Sequence, residues 1–226
     1  MLIDVLRSTT SICHGMAAGC LRMLPVADLG EATGLVESLG RAKLLLGGER
    51  DGRLIPGFDL GNSPAEYTQR RLRGSTLVLL TSNGTAALAR LRHLRAVAIA
   101  SFANLGAAAR WLAEEGRHAV IICAGQRDQF CLEDSVCAGL LARRLMEALP
   151  DESCELNDAA RVGLALAERW SDLRGCLAEA GHGRALAEMG MGDDLELCAR
   201  LDELDLLPFF NGEQISLALP DRREPA

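Results

Sequence analysis

Short, unbroken apolar runs recur along the chain, and each is followed by a stretch with helical spacing. Leu2-Ile3-Asp4-Val5 closes a first strand, residues 22–27 form a weak one around Pro25, and Lys43-Leu44-Leu45-Leu46 forms another. Residues 76–81, 96–100 and 119–123 are strongly apolar and rich in Val, Ile and Leu. Helical spacing fills 9–19, 30–39, 85–93, 104–115 and 135–148. Strands that are apolar on both sides and separated by helices predict an α/β fold, with a mostly parallel sheet flanked by helices. Past a joint at Pro150-Asp151-Glu152 the pattern turns helical through residue 203, and 205–219 return as one or two strands. The expected organisation is an α/β core over 1–150 and a helical segment over 151–226 that returns to the sheet, within or beside the same domain.

The polar residues collect after the strands. Asp4 and Arg7-Ser8-Thr9-Thr10 follow the first, and Gly47-Gly48-Glu49-Arg50 the third. Thr81-Ser82-Asn83-Gly84-Thr85, Ser101-Phe102-Ala103-Asn104, and Ala124-Gly125 with Glu133-Asp134 follow the later ones. In open parallel sheets the ligand crevice lies outside the carboxyl ends of the strands, so these loops are expected to converge on one site. Ser8, Thr9, Ser82 and Thr85 stand where helices begin, and helix N-termini attract anions. Arg7 and Arg50 can grip a phosphate or carboxylate in a bidentate fork. Asp4, Glu49, Glu133 and Asp134 lie beside the same loops, an arrangement that makes sense with a cation between them and the anion. Magnesium suits a few carboxylates plus water and substrate phosphate. In the segment 51–67, Ser63-Pro64-Ala65-Glu66 reads as a capping box. That leaves Asp59 and Asn62 for metal or substrate contacts.

Composition narrows the function. The 226 residues are 49% hydrophobic and only 4% aromatic, with a net charge of −7. A globular core is expected, while a basic surface or aromatic platform for nucleic acid is not. Eight cysteines without a Cys-x-x-Cys pair read as reduced, small hydrophobes. With no basic-then-apolar leader and no apolar run near the roughly 20 residues that span a bilayer, the expectation is a cytoplasmic protein without a membrane partner.

Several phosphatase signatures fail. Asp4 lacks the second acid of an Asp-x-Asp motif, because position 6 is Leu. Cys137 and Arg143 have the Cys-x5-Arg spacing, but Ala-Gly-Leu-Leu-Ala between them reads as a helix interior. No phosphate-loop lysine motif and no His-Glu-x-x-His pair occur. Of the four histidines, His182, in an exposed-looking turn Gly181-His182-Gly183-Arg184, is the one considered for a pocket.

Together, Ile3-Asp4-Val5-Leu6-Arg7-Ser8-Thr9-Thr10, Gly48-Glu49-Arg50, Gly57-Phe58-Asp59-Leu60-Gly61-Asn62-Ser63-Pro64, Thr81-Ser82-Asn83-Gly84-Thr85 and Leu132-Glu133-Asp134 resemble the 2-phosphosulfolactate phosphatases. The resemblance runs from about residue 2 to about residue 215. It implies a magnesium-dependent hydrolase of a small phosphorylated acid, 2-phosphosulfolactate, on the way to coenzyme M, with an α/β fold and oligomeric contacts. By matching positions it implies metal or acid–base roles for Asp4, Glu49, Asp59, Glu133 and Asp134, with Asp4, Glu49 and Asp59 as the metal set. It implies substrate contacts for Arg7, Ser8, Thr9, Arg50, Asn62, Asn83, Gly84, Thr85 and Asn104. Family members carry a further stretch before the Ile-Asp-Val-Leu-Arg motif. Here Met1 stands almost on it, so either the first strand is very short, holding Asp4 less rigidly, or the chain start is internal to a longer one. The residues leave open whether water attacks phosphorus directly or Asp4 forms an aspartyl-phosphate. They also leave open a non-catalytic binding protein for a phosphorylated or sulfonated metabolite.

Overall fold

The computed structural model describes residues 1–127, 129–149 and 154–219, so the expected joint at Pro150-Asp151-Glu152 lies outside the described residues. The strands are β1 (Leu2–Ile3), β2 (Arg22–Pro25), β3 (Leu44–Arg50), β4 (Arg53–Leu54), β5 (Thr76–Leu80), β6 (Val97–Ala100), β7 (Ile122–Cys123), β8 (Phe209–Phe210) and β9 (Ile215–Ser216). They form one sheet in the order β4-β3-β5-β2-β9-β8-β6-β1-β7. The helices are α1 (Ser8–Ala17), α2 (Leu29–Leu39), α3 (Gln69–Leu72), α4 (Gly84–Arg90), α5 (Leu105–Glu115), α6 (Leu132–Ala148), α7 (Asp158–Arg169), α8 (Leu173–Glu179), α9 (Gly181–Glu188) and α10 (Asp193–Cys198). Among the described residues, no helix is long and apolar enough to cross a membrane.

The class is α/β as expected, but the sheet is mixed and not mostly parallel. Two parallel blocks exist, β3-β5-β2 and β6-β1-β7. Between them lies the antiparallel β8–β9 hairpin, which pairs Ile215 with Met23 of β2 and Phe210 with Val97 of β6. The end of the chain thus supplies the strands that join the two blocks. Strands are expected within 205–219, but two-residue strands give no signal of their pairing direction; the buried Phe209, Phe210 and Ile215 hold them in the core.

Both faces of the sheet are covered, because successive side chains of a strand point to opposite sides. Leu77 and Leu79 pack with Ile12 and Met23, while Val78 and Leu80 pack with Val26 and Leu46. Leu2 joins the first of these clusters, and Ile3 faces a third, built with Leu105, Leu140, Leu177 and Leu195 from the helices. Although β1 is only two residues long, it is paired on both edges, with β6 and β7, so Asp4 leaves it from the middle of a parallel block. The eight cysteines are unpaired, and six are buried, consistent with use as small hydrophobes.

Candidate functional site

Asp4 follows β1, and its backbone is locked by Thr9. The Thr9 hydroxyl donates to the Asp4 carbonyl at 2.8 Å and accepts the Asp4 N–H at 3.0 Å. The Asp4 carboxylate is left almost bare, with one long contact from the Ser8 N–H at 3.4 Å. Asp134, in the first turn of α6, accepts the Val5 N–H at 2.8 Å and the Gly125 N–H at 3.1 Å. It therefore ties the loop after β1 to the loop after β7. Glu49 makes the equivalent tie on the other side, accepting from the Gly52 N–H and the Ser82 N–H, both at 2.7 Å.

Arg7 opens α1 with its side chain buried. Its guanidinium donates to Asp194 of α10 at 2.7 Å and to the Gly52 carbonyl at 2.9 Å. The other Asp194 oxygen accepts the Ser63 hydroxyl. The expected Ser63–Glu66 capping box is therefore not formed: Ser63 turns to Asp194, and Glu66 accepts the Gly61 N–H. Gly84 seats the loop after β5 against Asp4. A Cβ there would lie 2.4 Å from Ser8 Oγ and 2.8 Å from Asp4 Oδ2, so any larger residue must push those side chains aside.

These contacts enclose a tight cavity of about 10 Å³ lined by Asp4, Leu6, Arg7, Glu49, Asn62, Asn83 and His182. Asn62 brings a buried Oδ1 with no hydrogen-bond partner. Glu133 stands close by, its Oε1 4.0 Å from His182 Nδ1. The acids repel one another in a poorly solvated space. Burial first, and then the charges of Asp134, Glu49 and Glu133, push the Asp4 carboxyl well above the usual carboxylate range. Burial and the Glu133 charge push Asp134 up to about 7, and burial raises Glu133. Burial and the Arg7 charge pull His182 down. A wider groove of about 460 Å³, lined by Arg174, Arg184, Glu188 and Asp193 among others, shares no residue with this cavity.

Of the residues expected from the sequence, Asp4, Arg7, Glu49, Asn62 and Asn83 meet at the cavity, with Glu133 and Asp134 in electrostatic contact with Asp4. Others are placed differently. The oxygens of Asp59 accept from Arg41 at 2.8 Å and from the Leu46 N–H at 2.8 Å, away from the lining. Arg50 is exposed at the end of β3. Asn104 closes a 3-10 turn, bonding the Ser101 N–H and the Ile99 and Leu206 carbonyls. Thr85 bonds the backbone of Thr81, and Ser8 lies buried under Gly84. His182 belongs to α9 and not to a turn, and it does face the cavity. Asp194 lies outside every motif that marks the site in the sequence. In Met191-Gly192-Asp193-Asp194 it reads as the acidic first turn of a helix, and nothing local marks Arg7, far away in sequence, as its partner.

A family model described as 2-phosphosulpholactate phosphatase matches residues 1–213. The chain is 41% identical over 218 residues to the probable 2-phosphosulfolactate phosphatase of Symbiobacterium thermophilum, covering 96% of this chain and 93% of that one. It is 37% identical to the probable 2-phosphosulfolactate phosphatase of Gloeobacter violaceus, over 91% of this chain and 85% of that one. It is 35% identical to the one of Clostridium acetobutylicum, over 94% and 90% respectively.

Proposed function

Because the chain belongs to the 2-phosphosulpholactate phosphatase family, we propose that it hydrolyses the phosphate ester of a small acidic metabolite, 2-phosphosulfolactate first, to sulfolactate and inorganic phosphate. The observation that carries this reading is the cavity where Asp4, Arg7, Glu49, Asn62, Asn83 and His182 converge. Buried acids and an arginine fork in one small space suit phosphoryl transfer, where positioning and charge stabilisation do most of the work.

Magnesium fits these donors. Asp4 and Glu49 offer hard oxygens, and the unpartnered Asn62 Oδ1 is an acceptor that a cation would satisfy. The raised Asp4 carboxyl is what a site awaiting positive charge looks like. Among the described residues, no three His, Cys, Asp or Glu side chains group to hold a metal by themselves. Magnesium does not need them, since it retains waters and binds substrate phosphate. Asp4, Glu49 and Asn62 would hold it, and when bound it would polarise the phosphoryl oxygen and neutralise developing charge.

The protein's own groups complete the reaction. Arg7, held by Asp194 and Gly52, keeps N–H groups for the equatorial phosphoryl oxygens. A carboxylate of the cluster orients the attacking water and takes its proton as the new P–O bond forms. The bond from phosphorus to the ester oxygen breaks, and the departing oxygen takes up a proton. His182, beside Glu133, lies within the same space. The test is phosphate release from racemic 2-phosphosulfolactate, with magnesium and then with excess EDTA, for the wild type and Asp4→Asn. Release that needs the cation and collapses in the variant supports the reading. Folded protein that releases phosphate from neither this ester nor other small esters would sink it and favour a binding protein.

A further inference from the structure

The cavity lining carries more negative than positive charge. Asp4 and Glu49 line it, and its arginine, Arg7, is already paired with Asp194. Arg7 and the proposed cation both serve the phosphate, so the lining offers no further positive charge to a substrate's second acid group.

Arg127 is an arginine tied to the lining from outside it. Its backbone N–H donates at 3.2 Å to Oδ1 of Asn83, a lining residue. Its guanidinium lies 3.3 Å from the carboxylate of Asp51. Asp51 belongs to the turn between β3 and β4. Its N–H donates to Ser82 Oγ at 3.2 Å, and the next residue, Gly52, donates to Glu49 and accepts from Arg7. The Arg127–Asp51 pair thus spans two segments that are each hydrogen-bonded to the cavity lining.

Two observations suit this pair to a change of partner. The side chains are 81% and 70% exposed, and an ion pair so wet contributes little. Both residues also sit in the left-handed region, Asp51 at φ 51° and Arg127 at φ 53°. Side-chain-bearing residues rarely adopt that conformation, and it concentrates where function holds a residue in place. Among the described residues other than glycine, only Asp202 shares it.

We infer that Arg127 is a specificity-determining residue that takes the substrate's second acid group, its carboxylate or sulfonate, in exchange for Asp51. This rests on the phosphatase reading above. A guanidinium fork matches the paired oxygens of either group, which an ammonium does not. Esters lacking the second acid would leave Arg127 on Asp51 and gain nothing from it.

The test is calorimetric binding of sulfolactate, lactate and inorganic phosphate to the wild type, Arg127→Ala, Arg127→Lys and Asp51→Asn. In Arg127→Ala, sulfolactate should weaken at least about tenfold and inorganic phosphate less than about threefold. Arg127→Lys should recover part of the loss. Asp51→Asn, at a φ that Asn tolerates, should tighten sulfolactate about twofold by removing the competing carboxylate. Lactate weakening in parallel with sulfolactate assigns the carboxylate, and unchanged lactate assigns the sulfonate. Undiminished sulfolactate binding in Arg127→Ala, parallel weakening of sulfolactate and phosphate, or no sulfolactate binding by the wild type overturns the assignment. Turnover separates the two readings. If no ester is hydrolysed yet sulfolactate binding depends on Arg127, the phosphatase reading fails and the Arg127 site stands. If hydrolysis proceeds and Arg127→Ala keeps its KM for 2-phosphosulfolactate, the Arg127 site fails and the phosphatase reading stands.

Discussion

Replacing Asp194 by Asn tests the energetics of the site most directly. The Arg7 and Asp194 side chains are 3% and 7% exposed and lie 2.7 Å apart. Asn keeps the volume and one acceptor but removes the charge. Arg7 then stays buried without a counter-charge, on the Asn oxygen, the Gly52 carbonyl and the Met191 sulfur. Removing one partner of a buried pair costs about 3–5 kcal/mol, because the other charge is left uncompensated. The retained acceptor argues for the lower end. Each kcal/mol shifts the melting temperature of a chain of this size by about 2–4 °C, so a fall of about 6–12 °C is expected. Urea denaturation measures it: the midpoint should drop while the slope stays unchanged, marking lost stability and not an altered denatured state. A loss below about 1 kcal/mol would refute the reasoning, since values of that size belong to solvent-exposed pairs.

Stability should also depend on pH through Asp134. Its ordinary value near 3.8 is pushed up to about 7, so between those limits the native state holds a proton that the unfolded chain has released. The contribution is complete below pH 4 and is lost as pH rises through 7, on the order of 4 kcal/mol. Asp4 and Glu133, both raised, act with the same sign. Urea midpoints at pH 5 and pH 8 check this, and a midpoint that rises across the interval would contradict it. Gly84→Ala should push its new methyl into Ser8 and Asp4, costing about 1–3 kcal/mol by overpacking. It should also lower phosphate release well beyond that loss of folded protein. Wild-type turnover in Gly84→Ala would mean that the close seat against Asp4 is not required.

Much of this protein was determined by its sequence alone. The apolar runs at 76–80 and 97–100 could be read as strands buried on both faces because burial on both sides requires continuous hydrophobicity. Polar residues could be seen to collect at the strand ends, and Asp4 after β1, Glu49 near the end of β3 and Asn83 after β5 do meet at one cavity. Only the tertiary structure decided the rest. Strands within 205–219 could be expected, but whether the sheet was parallel depended on how they paired, and their antiparallel, central placement rests on the burial of Phe210 and Ile215. Asp59 and Asn104 sit in the same motifs as the cavity residues, but Arg41 and nearby backbone groups claimed their polar atoms. Asp194 and Arg127 entered the picture through partners 187 and 76 residues away. A hydrogen bond over such a separation leaves no spacing in the sequence, because it is the packing of distant segments, and not local conformation, that brings its two ends together.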